Sequence, residues 1–357
     1  MASDRPFEST KGTLSSDASG TVVSLTQARV ANVVQQTQSF NFRFVEQDDA
    51  TDFRVQREKT RIAALGSSPE ERVRYLREEV FITTPDVLHV ITTIERLLDK
   101  GRSISGSGGM RITGAGGTGK DAIIRYLTRT YGPRLDGPVP RCPLVFVDCR
   151  AHFAPSAILK HFLTQLNAAY TNRQDLKDLE YILLAALNAC SNVGFVFNET
   201  QHLMPVSRTR HRHTTRLAGE AGDWLKRLID LTRRQFFFFG IEGWDEIFDL
   251  DGQLGTRVSN RYDIKPLSYD SIFVSVLSNL DASLPMPERA NLAEKPLCWE
   301  IFCSSKGNWR RLIDILSTAL LRASRRHATR IDRTDLSWAH FLHYGRGENP
   351  FGVPPEA

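Results

Sequence analysis

The residues with the clearest chemistry stand in one glycine-rich run, residues 114–121, which reads Gly-Ala-Gly-Gly-Thr-Gly-Lys-Asp. It follows the pattern G-x-x-x-x-G-K-[ST], in which backbone N–H groups surround a phosphate and the lysine reaches the outer phosphates. The last position departs from the pattern, because Asp121 replaces the hydroxyl residue that normally holds Mg²⁺. The run predicts a site for ATP and Mg²⁺. The residues expected to bind this cofactor are Gly114, Gly116, Gly117, Thr118, Gly119, Lys120 and Asp121.

A second set of candidate residues ends an apolar run later in the chain. Residues 193–197 are followed by Asn198 and Glu199. Proteins that hydrolyse nucleotides on such a loop need a strand end that presents carboxylates, one for Mg²⁺ and a glutamate that orients the attacking water. Asn198 stands at the metal-facing position and Glu199 at the water-orienting position. The alternative is a strand that simply runs into a polar loop.

The two departures from the pattern, Asp121 and Asn198, concern the same metal ion. We hypothesise that they compensate each other and leave one carboxylate near Mg²⁺, because hard cations prefer oxygen ligands. Without a metal, Asp121 would repel a triphosphate by several kcal/mol. The competing hypothesis is decay of both positions, with nucleotide bound weakly or not at all.

Hydrophobic patterns place these candidates at the ends of strands. Residues 110–113 predict a strand before the glycine run, and Ile123, Ile124 and Leu127 predict a helix after it. Further strand patterns at 144–148, 194–197 and 236–239 alternate with helical patterns at 155–170, 176–190 and 218–233. This alternation indicates an α/β fold with a parallel sheet covered by helices on both faces.

The same patterns divide the chain into four parts. Residues 1–64 are rich in Ser, Thr, Gln and charge, which predicts a flexible N-terminal arm. Ser68, Pro69 and Glu71 then form a capping box that opens a helix. An α/β nucleotide-binding domain is expected over residues 65–267. From residue 268 only helical patterns follow, which predicts an all-helical lid domain over 268–345 and a tail over 346–357.

Composition excludes several classes of protein. Of the 357 residues, 41% are hydrophobic and 24% are charged, as in soluble globular proteins. No apolar run approaches the roughly 20 residues that a membrane helix needs, and no secretory signal is evident. The five cysteines are odd in number and lack metal-site spacing, which predicts a cytoplasmic protein. The net charge of +5 is compatible with nucleic-acid binding.

From about residue 70 to residue 336 the chain resembles the TniB/TnsC-type AAA+ ATPases that regulate DNA transposition. The run Asn198-Glu-Thr-Gln-His-Leu203 is similar to the family's Asp-Glu-x-x-His-Leu, and Ser259-Asn-Arg-Tyr262 is similar to its Asn-Arg-Phe element. Residues 71–77 and 81–85 resemble the segment that leads into the family's phosphate loop. The resemblance implies a P-loop AAA+ core with a small helical lid.

The resemblance also implies roles for individual arginines. In AAA+ proteins an arginine of the Asn-Arg-Phe region reaches a neighbouring subunit's nucleotide and stabilises transition-state charge. Arg261 is the candidate for this catalytic role beside Glu199, with Arg257 as the second candidate. Gly307-Asn-Trp-Arg310 is similar to an element of origin-recognition ATPases, which implies that Arg310 contacts the γ-phosphate from the lid. For each arginine the alternative is an ordinary surface ion pair or helix-surface position.

A basic run separates the Glu199 strand from the next helix. Residues 207–216 contain four arginines and two histidines and no acidic residue. Phosphate backbones attract such clusters without any reading of sequence. Arg208, Arg210 and Arg212 are therefore the candidate DNA-binding residues, and a solvated basic loop that binds nothing is the alternative.

The resemblance implies an ATP-dependent regulator of transposition that assembles on double-stranded DNA and recruits or activates a transposase. A homo-oligomer, ring or filament, and a TniQ-like target selector are its expected partners, and no membrane is involved. Two other classes remain open. One is a replication-initiator or helicase-loader ATPase, although no winged-helix domain is evident after Thr334. The other is a non-hydrolysing adaptor, since turnover would be weak or lost if Asp121 and Asn198 do not hold the metal.

Overall fold

The computed structural model describes residues 50–103, 106–134, 141–152, 154–203, 219–250, 252–345 and 347–352. Its first helix, α1 (Ala50–Leu65), occupies a stretch that the sequence analysis assigned to the N-terminal arm. Near the end of α1, Arg61 donates hydrogen bonds of 3.3 Å to the carbonyls of Leu284 and Met286, just after the helix at residues 271–283. The rest of the predicted arm, residues 1–49, lies outside the described residues.

The centre of the protein is a parallel sheet. Its five strands in the described chain are β1 (Gly108–Thr113), β2 (Leu144–Asp148), β3 (Gly194–Asn198), β4 (Gln235–Phe239) and β5 (Asn260–Asp263). Their order across the sheet is β2-β3-β4-β1-β5, and every neighbouring pair is parallel. Because all strands run the same way, their carboxyl ends meet at one edge. There β1 leads into the glycine run and β3 ends at Asn198.

Helices cover both faces of the sheet, because successive side chains of a strand point to opposite faces. In β4, Phe236 and Phe238 belong to one hydrophobic cluster, whereas Phe237 and Phe239 belong to another. The first cluster includes residues of α5 (Pro155–Gln165), α6 (Leu176–Ala189) and α7 (Gly219–Thr232). The second includes residues of α3 (Pro85–Ser103) and α4 (Lys120–Tyr131). The predicted α/β fold with helices on both faces is confirmed.

Two short helices and β5 complete this layer between β4 and the C-terminal helices. They are α8 (Glu246–Leu250) and α9 (Gly252–Arg257), whose side chains Phe248 and Leu254 join the first cluster. The sequence analysis did not predict β5, since its residues Asn-Arg-Tyr-Asp contain one apolar side chain and give no strand pattern. Its ladder to β1 pairs Arg261 with Arg111 and Asp263 with Thr113.

The C-terminal helices form a separate hydrophobic cluster, as predicted for a lid. They are α10 (Ser271–Ser283), α11 (Leu297–Ser305), α12 (Trp309–Arg325) and α13 (Arg333–Tyr344). An earlier helix, α2 (Pro69–Glu78), contributes the buried Leu76 to the same cluster. The capping box of Ser68 and Glu71 at the start of α2 is confirmed. An ion pair of 2.6 Å between Arg77 and Asp314 further fixes α2 to α12, so this helix packs with the lid.

Other expectations concern thiols and membranes. All five cysteines are free thiols. Among the helices in the described ranges, none is both long enough and apolar enough to cross a bilayer.

Candidate nucleotide-binding site

The glycine run forms a tight loop between β1 and α4. Gly117 and Gly119 have φ values of +80° and +106°, a left-handed region that glycine adopts without steric cost. A Cβ atom at Gly117 would lie 2.5 Å from Asn308 Oδ1, so a larger residue would clash with the lid. Helix α4 begins at Lys120 directly after Gly119. A glycine loop that leads into the amino end of a helix is an arrangement that binds phosphate.

Lys120 points back over the loop. Its Nζ donates to the carbonyl oxygen of Gly114 at 2.5 Å and to that of Ala115 at 3.0 Å. Burial lowers the pKa of Lys120, while the carboxylates of Asp121 and Glu199 oppose this shift. A phosphate in the loop would compete with these carbonyls for the ammonium group. The lysine is therefore placed for the role predicted from the sequence.

The lid contacts the loop through the start of α12. Asn308 Nδ2 donates to the carbonyl oxygen of Gly116 at 2.7 Å, and the backbone N–H of Arg310 donates to that of Gly117 at 3.1 Å. Asn308 also caps α12, because its Oδ1 accepts from the N–H of Arg311. The predicted lid arginine, Arg310, pairs with Asp121 at 3.2 Å. The structure thus brings Arg310 to the phosphate loop.

The predicted catalytic strand end lies at the carboxyl end of β3. Asn198 Oδ1 accepts a hydrogen bond of 2.9 Å from the backbone N–H of Glu199. Glu199 has a φ of +53°, which is unusual for a residue other than glycine. The carboxylate of Glu199 accepts a hydrogen bond from Gln201 Nε2 and lies 3.9 Å from Arg150 Nη1. Both predicted side chains therefore already have partners within their own subunit.

Arg150 is a residue of this site that the sequence analysis missed. It follows β2, whose last residue Asp148 is the register partner of Asn198. Arg150 Nη2 donates to Asp148 Oδ2 at 2.6 Å and holds the pKa of this carboxyl below its usual value. The sequence signal that could have identified Arg150 was a pair of charged residues, Asp148 and Arg150, at the end of a buried strand. Parallel strands bring such residues to the same edge as Glu199.

The proposed metal ligands can be tested against this geometry. Asp121 Oδ2 is engaged by Arg310, and Asn198 Oδ1 is engaged by a backbone N–H. A guanidinium, that of Arg150, lies beside Glu199. Within the described ranges, no three His, Cys, Asp or Glu side chains are grouped so that they could hold a metal ion. These contacts with a guanidinium and a backbone N–H do not favour a Mg²⁺ site, and the hypothesis that Asp121 and Asn198 compensate stays a prediction.

Arg261, the candidate for contact with a neighbouring subunit, belongs to an ion cluster within its own subunit. Its Nε lies 2.7 Å from Oδ2 of the fully buried Asp245, and its Nη1 lies 3.6 Å from Asp249. Arg111 of β1 pairs with Asp249 at 2.7 Å. Burial raises the pKa of Asp245, and Arg261 and Arg111 oppose that shift. The catalytic role of Arg261 in a neighbour's site stays a prediction.

The remaining candidates have different positions. Arg257, the second candidate for contact with a neighbour, pairs with Asp230 at 2.7 Å. Arg208, Arg210 and Arg212 lie outside the described residues, so their role in DNA binding stays a prediction.

A cleft beside the phosphate loop was not predicted. It is small and partly open to solvent, and Thr118 and Gly119 form one wall. Apolar side chains dominate the remaining lining, which includes Phe81, Val87, Ile264 and Trp309. The lining residues come from four separate parts of the chain, and no local pattern connects them.

The parallel strand order β2-β3-β4-β1-β5, the phosphate loop after β1 and the helical lid define an AAA+ protein. A family model described as "Bacterial TniB protein" matches residues 72–265, which is more than half of the chain. The chain belongs to this family, as the resemblance implied. No curated protein matches it significantly.

Solved structures share the fold at low sequence identity. Cdc6p from Pyrobaculum aerophilum is 18% identical, with a TM-score of 0.53 and coverage of 73% of this chain and 68% of that chain. The ORC2 protein of Aeropyrum pernix is 13% identical, with a TM-score of 0.55 and coverage of 77% and 72%. The ORC1 protein of Aeropyrum pernix in complex with DNA is 14% identical, with a TM-score of 0.51 and coverage of 73% and 66%. These TM-scores show a shared fold at low sequence identity.

Proposed function

We propose that this protein is an ATP-dependent, DNA-binding regulator of transposition that assembles on duplex DNA and recruits or activates a transposase. The observation that carries the proposal is the TniB family match over residues 72–265, which includes the phosphate loop and the Asn198–Glu199 strand end. Two fold neighbours are consistent with it. The solved ORC2 structure is described as ADPNP–ADP complexes, and the ORC1 structure is a complex with DNA.

Nucleotide dependence of assembly is supported by the contacts between the loop and the lid. The start of α12 binds the carbonyls of Gly116 and Gly117, and Arg310 pairs with Asp121. A phosphate group in the loop would compete with Asp121 for Arg310, because phosphates are strong acceptors for guanidinium groups. Nucleotide binding would then change the contacts that position the lid. A lid whose position depends on nucleotide can present different surfaces to neighbouring subunits.

Contact with DNA is assigned to the basic run at residues 207–216. A triple variant Arg208→Gln, Arg210→Gln, Arg212→Gln should weaken duplex binding and reduce its dependence on salt. Each lost phosphate contact lowers the slope of log K against log salt by about 0.9. The matched control changes three exposed arginines elsewhere, Arg102, Arg129 and Arg173, to glutamine and alters the net charge equally. If both triple variants show the same slope, the basic run does not contact DNA.

Assembly is tested by electron microscopy of the full chain with duplex DNA and a slowly hydrolysed ATP analogue. The proposal expects rings or filaments on the DNA, and expects them to be absent without nucleotide. Single subunits scattered on DNA in both conditions would contradict it. The neighbouring genes supply an independent test, since a transposase gene beside this one favours transposition over replication.

A second candidate function, a nucleotide-binding adaptor without hydrolysis, is favoured by the strand-end contacts. Glu199 is engaged by Gln201 and Arg150, and Asn198 replaces the carboxylate expected at the metal-facing position.

Steady-state phosphate release with and without duplex DNA distinguishes the two functions. Release that rises with DNA and falls at least about a hundredfold in Glu199→Gln identifies an ATPase, because removal of a catalytic base has effects of this size. The exposed Glu242→Gln is the matched control. No release in either condition, with nucleotide bound, identifies the adaptor.

A further inference from the structure

Arg150 occupies a distinctive position at the carboxyl edge of the sheet. Its side chain and its backbone N–H both bind Asp148, with contacts of 2.6 Å from Nη2 and 2.9 Å from the backbone. From this anchor Nη1 reaches across to within 3.9 Å of Glu199 Oε1 on the neighbouring strand. The guanidinium therefore lies between the ends of β2 and β3, beside the strand end that carries Asn198 and Glu199.

Arg150 faces the same space as the phosphate-binding lysine. The carboxylates of Asp148, Glu199 and Asp121 all raise the pKa of Arg150. Two of them, Asp121 and Glu199, also act on the pKa of Lys120. Arg310 pairs with Asp121 from the lid. Three cationic side chains, Lys120, Arg150 and Arg310, therefore act on the carboxylates of Asp121 and Glu199.

We propose that Arg150 supplies to the phosphates of a bound nucleotide the positive charge that Mg²⁺ supplies elsewhere, so that nucleotide binds without a divalent metal. This inference rests on the proposed function, because it needs a nucleotide in the loop. A guanidinium suits the role, since its planar donors match two phosphate oxygens at once. Its side chain is 58% exposed, so it can turn from Asp148 toward a ligand without disturbing the core.

The same geometry explains how both metal positions can be altered together. The oxygens of Asp121 and Asn198 are already bound by Arg310 and by a backbone N–H. A divalent cation placed among them would also meet the like charge of Arg150 at close range. Replacement of the metal by a permanent cation removes the need for the hydroxyl at position 121 and for the carboxylate at position 198.

The test measures the affinity of the full chain for a fluorescent ATP analogue by anisotropy, in excess EDTA and in millimolar Mg²⁺. We expect the wild-type dissociation constant to differ by less than about threefold between the buffers. Arg150→Gln should weaken binding in EDTA by at least about tenfold, the usual effect of losing a charge-assisted hydrogen bond. Arg150→Lys should retain part of the affinity, because it keeps the charge and loses the bidentate geometry.

The matched control is Arg129→Gln, which removes an equally exposed arginine from an ion pair with Glu79. It lies in the last turn of α4, away from the loop, and should bind as the wild type does. The double variant Arg150→Gln, Asp148→Asn repeats the test without an unpaired carboxylate and without a change in net charge. It should lose as much affinity as Arg150→Gln. Thermal melting by circular dichroism verifies that each variant is folded.

Two results would overturn the inference alone. One is wild-type affinity that falls more than about tenfold when EDTA removes Mg²⁺. The other is an affinity of the Arg150→Gln variant for the ATP analogue in EDTA that equals the affinity of the Arg129→Gln variant. Absence of binding in both buffers would have a different meaning, since it overturns the proposed nucleotide site itself.

Discussion

The phosphate loop and the ends of β2 and β3 lie at the same edge of the sheet, but they differ in the groups that bind. In the loop the binding groups are backbone amides, held in place by glycines such as Gly117 and Gly119. At the strand ends the candidate groups are side-chain oxygens. Those of Asn198, Glu199 and Asp148 already have partners within the subunit. Backbone donors persist when one side chain changes, whereas a side-chain oxygen can be taken by a new neighbour.

This comparison explains why the two halves of the site support different conclusions. The loop has its glycines and Lys120, and a small apolar cleft lies beside it. The strand ends carry a cationic side chain, Arg150, and have Asn198 in place of the expected aspartate. Nucleotide binding therefore rests on groups that are present. For the proposed hydrolysis, the carboxylate of Glu199 would have to leave Gln201 and Arg150 before it could orient a water.

The largest expected effect concerns Gly307, which lies between α11 and α12. Gly307 has a φ of +67°, and a Cβ there would lie 1.8 Å from the carbonyl oxygen of Leu267. Gly307→Ala should lower the free energy of unfolding by about 3 kcal/mol, through backbone strain and the clash together. Urea denaturation measures this. Gly252→Ala, where a Cβ would meet nothing within 4 Å, is the control. A fall in unfolding free energy of less than about 1 kcal/mol for Gly307→Ala would show that the backbone around residue 307 relaxes to accept a Cβ.

The next effect tests the loop itself. Lys120→Ala should weaken ATP-analogue binding by about thirtyfold to a hundredfold, because it removes a charge-assisted contact to phosphate. Its thermal stability should change little, since Lys120 Nζ binds only atoms of its own loop among the described residues. Anisotropy titration measures the affinity, and Lys100→Ala on the exposed end of α3 is the control. Equal affinity in both variants would mean that the loop does not bind phosphate.

The smallest effect concerns the contact between Asp121 and Arg310. Asp121→Asn should raise nucleotide affinity by about threefold to tenfold, since it removes a negative charge near the phosphates and frees Arg310. Unfolding free energy should change by less than about 1 kcal/mol, because both side chains are more than 60% exposed. Calorimetric titration and urea denaturation measure the two quantities. A fall in affinity would instead favour a metal held by Asp121.

Much of the fold was predictable from local patterns. The pattern for β2 covers residues 144–148, as the structure has it, and the predicted helix at 176–190 agrees within a residue with α6. These elements have continuous apolar stripes or apolar runs, which indicate helix or strand without knowledge of the partner. β5 has no such pattern and forms because its backbone can pair with β1. The position of α2 was also missed, because its apolar side chains indicate a helix without indicating which cluster it joins.

The candidate site was predictable to a similar extent. The glycine loop, Lys120 and Arg310 come together in the structure as the sequence analysis predicted. Arg150 was not predicted, since only the pairing of β2 with β3 brings it to Glu199. The contacts of Arg261 with Asp245 and Asp249 were not predicted either, because they join β5 to residues beyond β4.

The amino-acid sequence alone determined the phosphate loop, the succession of strands and helices, and the departures at Asp121 and Asn198. These properties depend on residues that are neighbours along the chain, and local backbone preferences act on them directly. The tertiary structure decided which charges meet. Arg150 reaches Glu199, Arg310 reaches Asp121, and Arg261 stays with Asp245, because strand order and lid packing join segments that are far apart in sequence. Charge pairing depends on distances in space, which no local pattern contains.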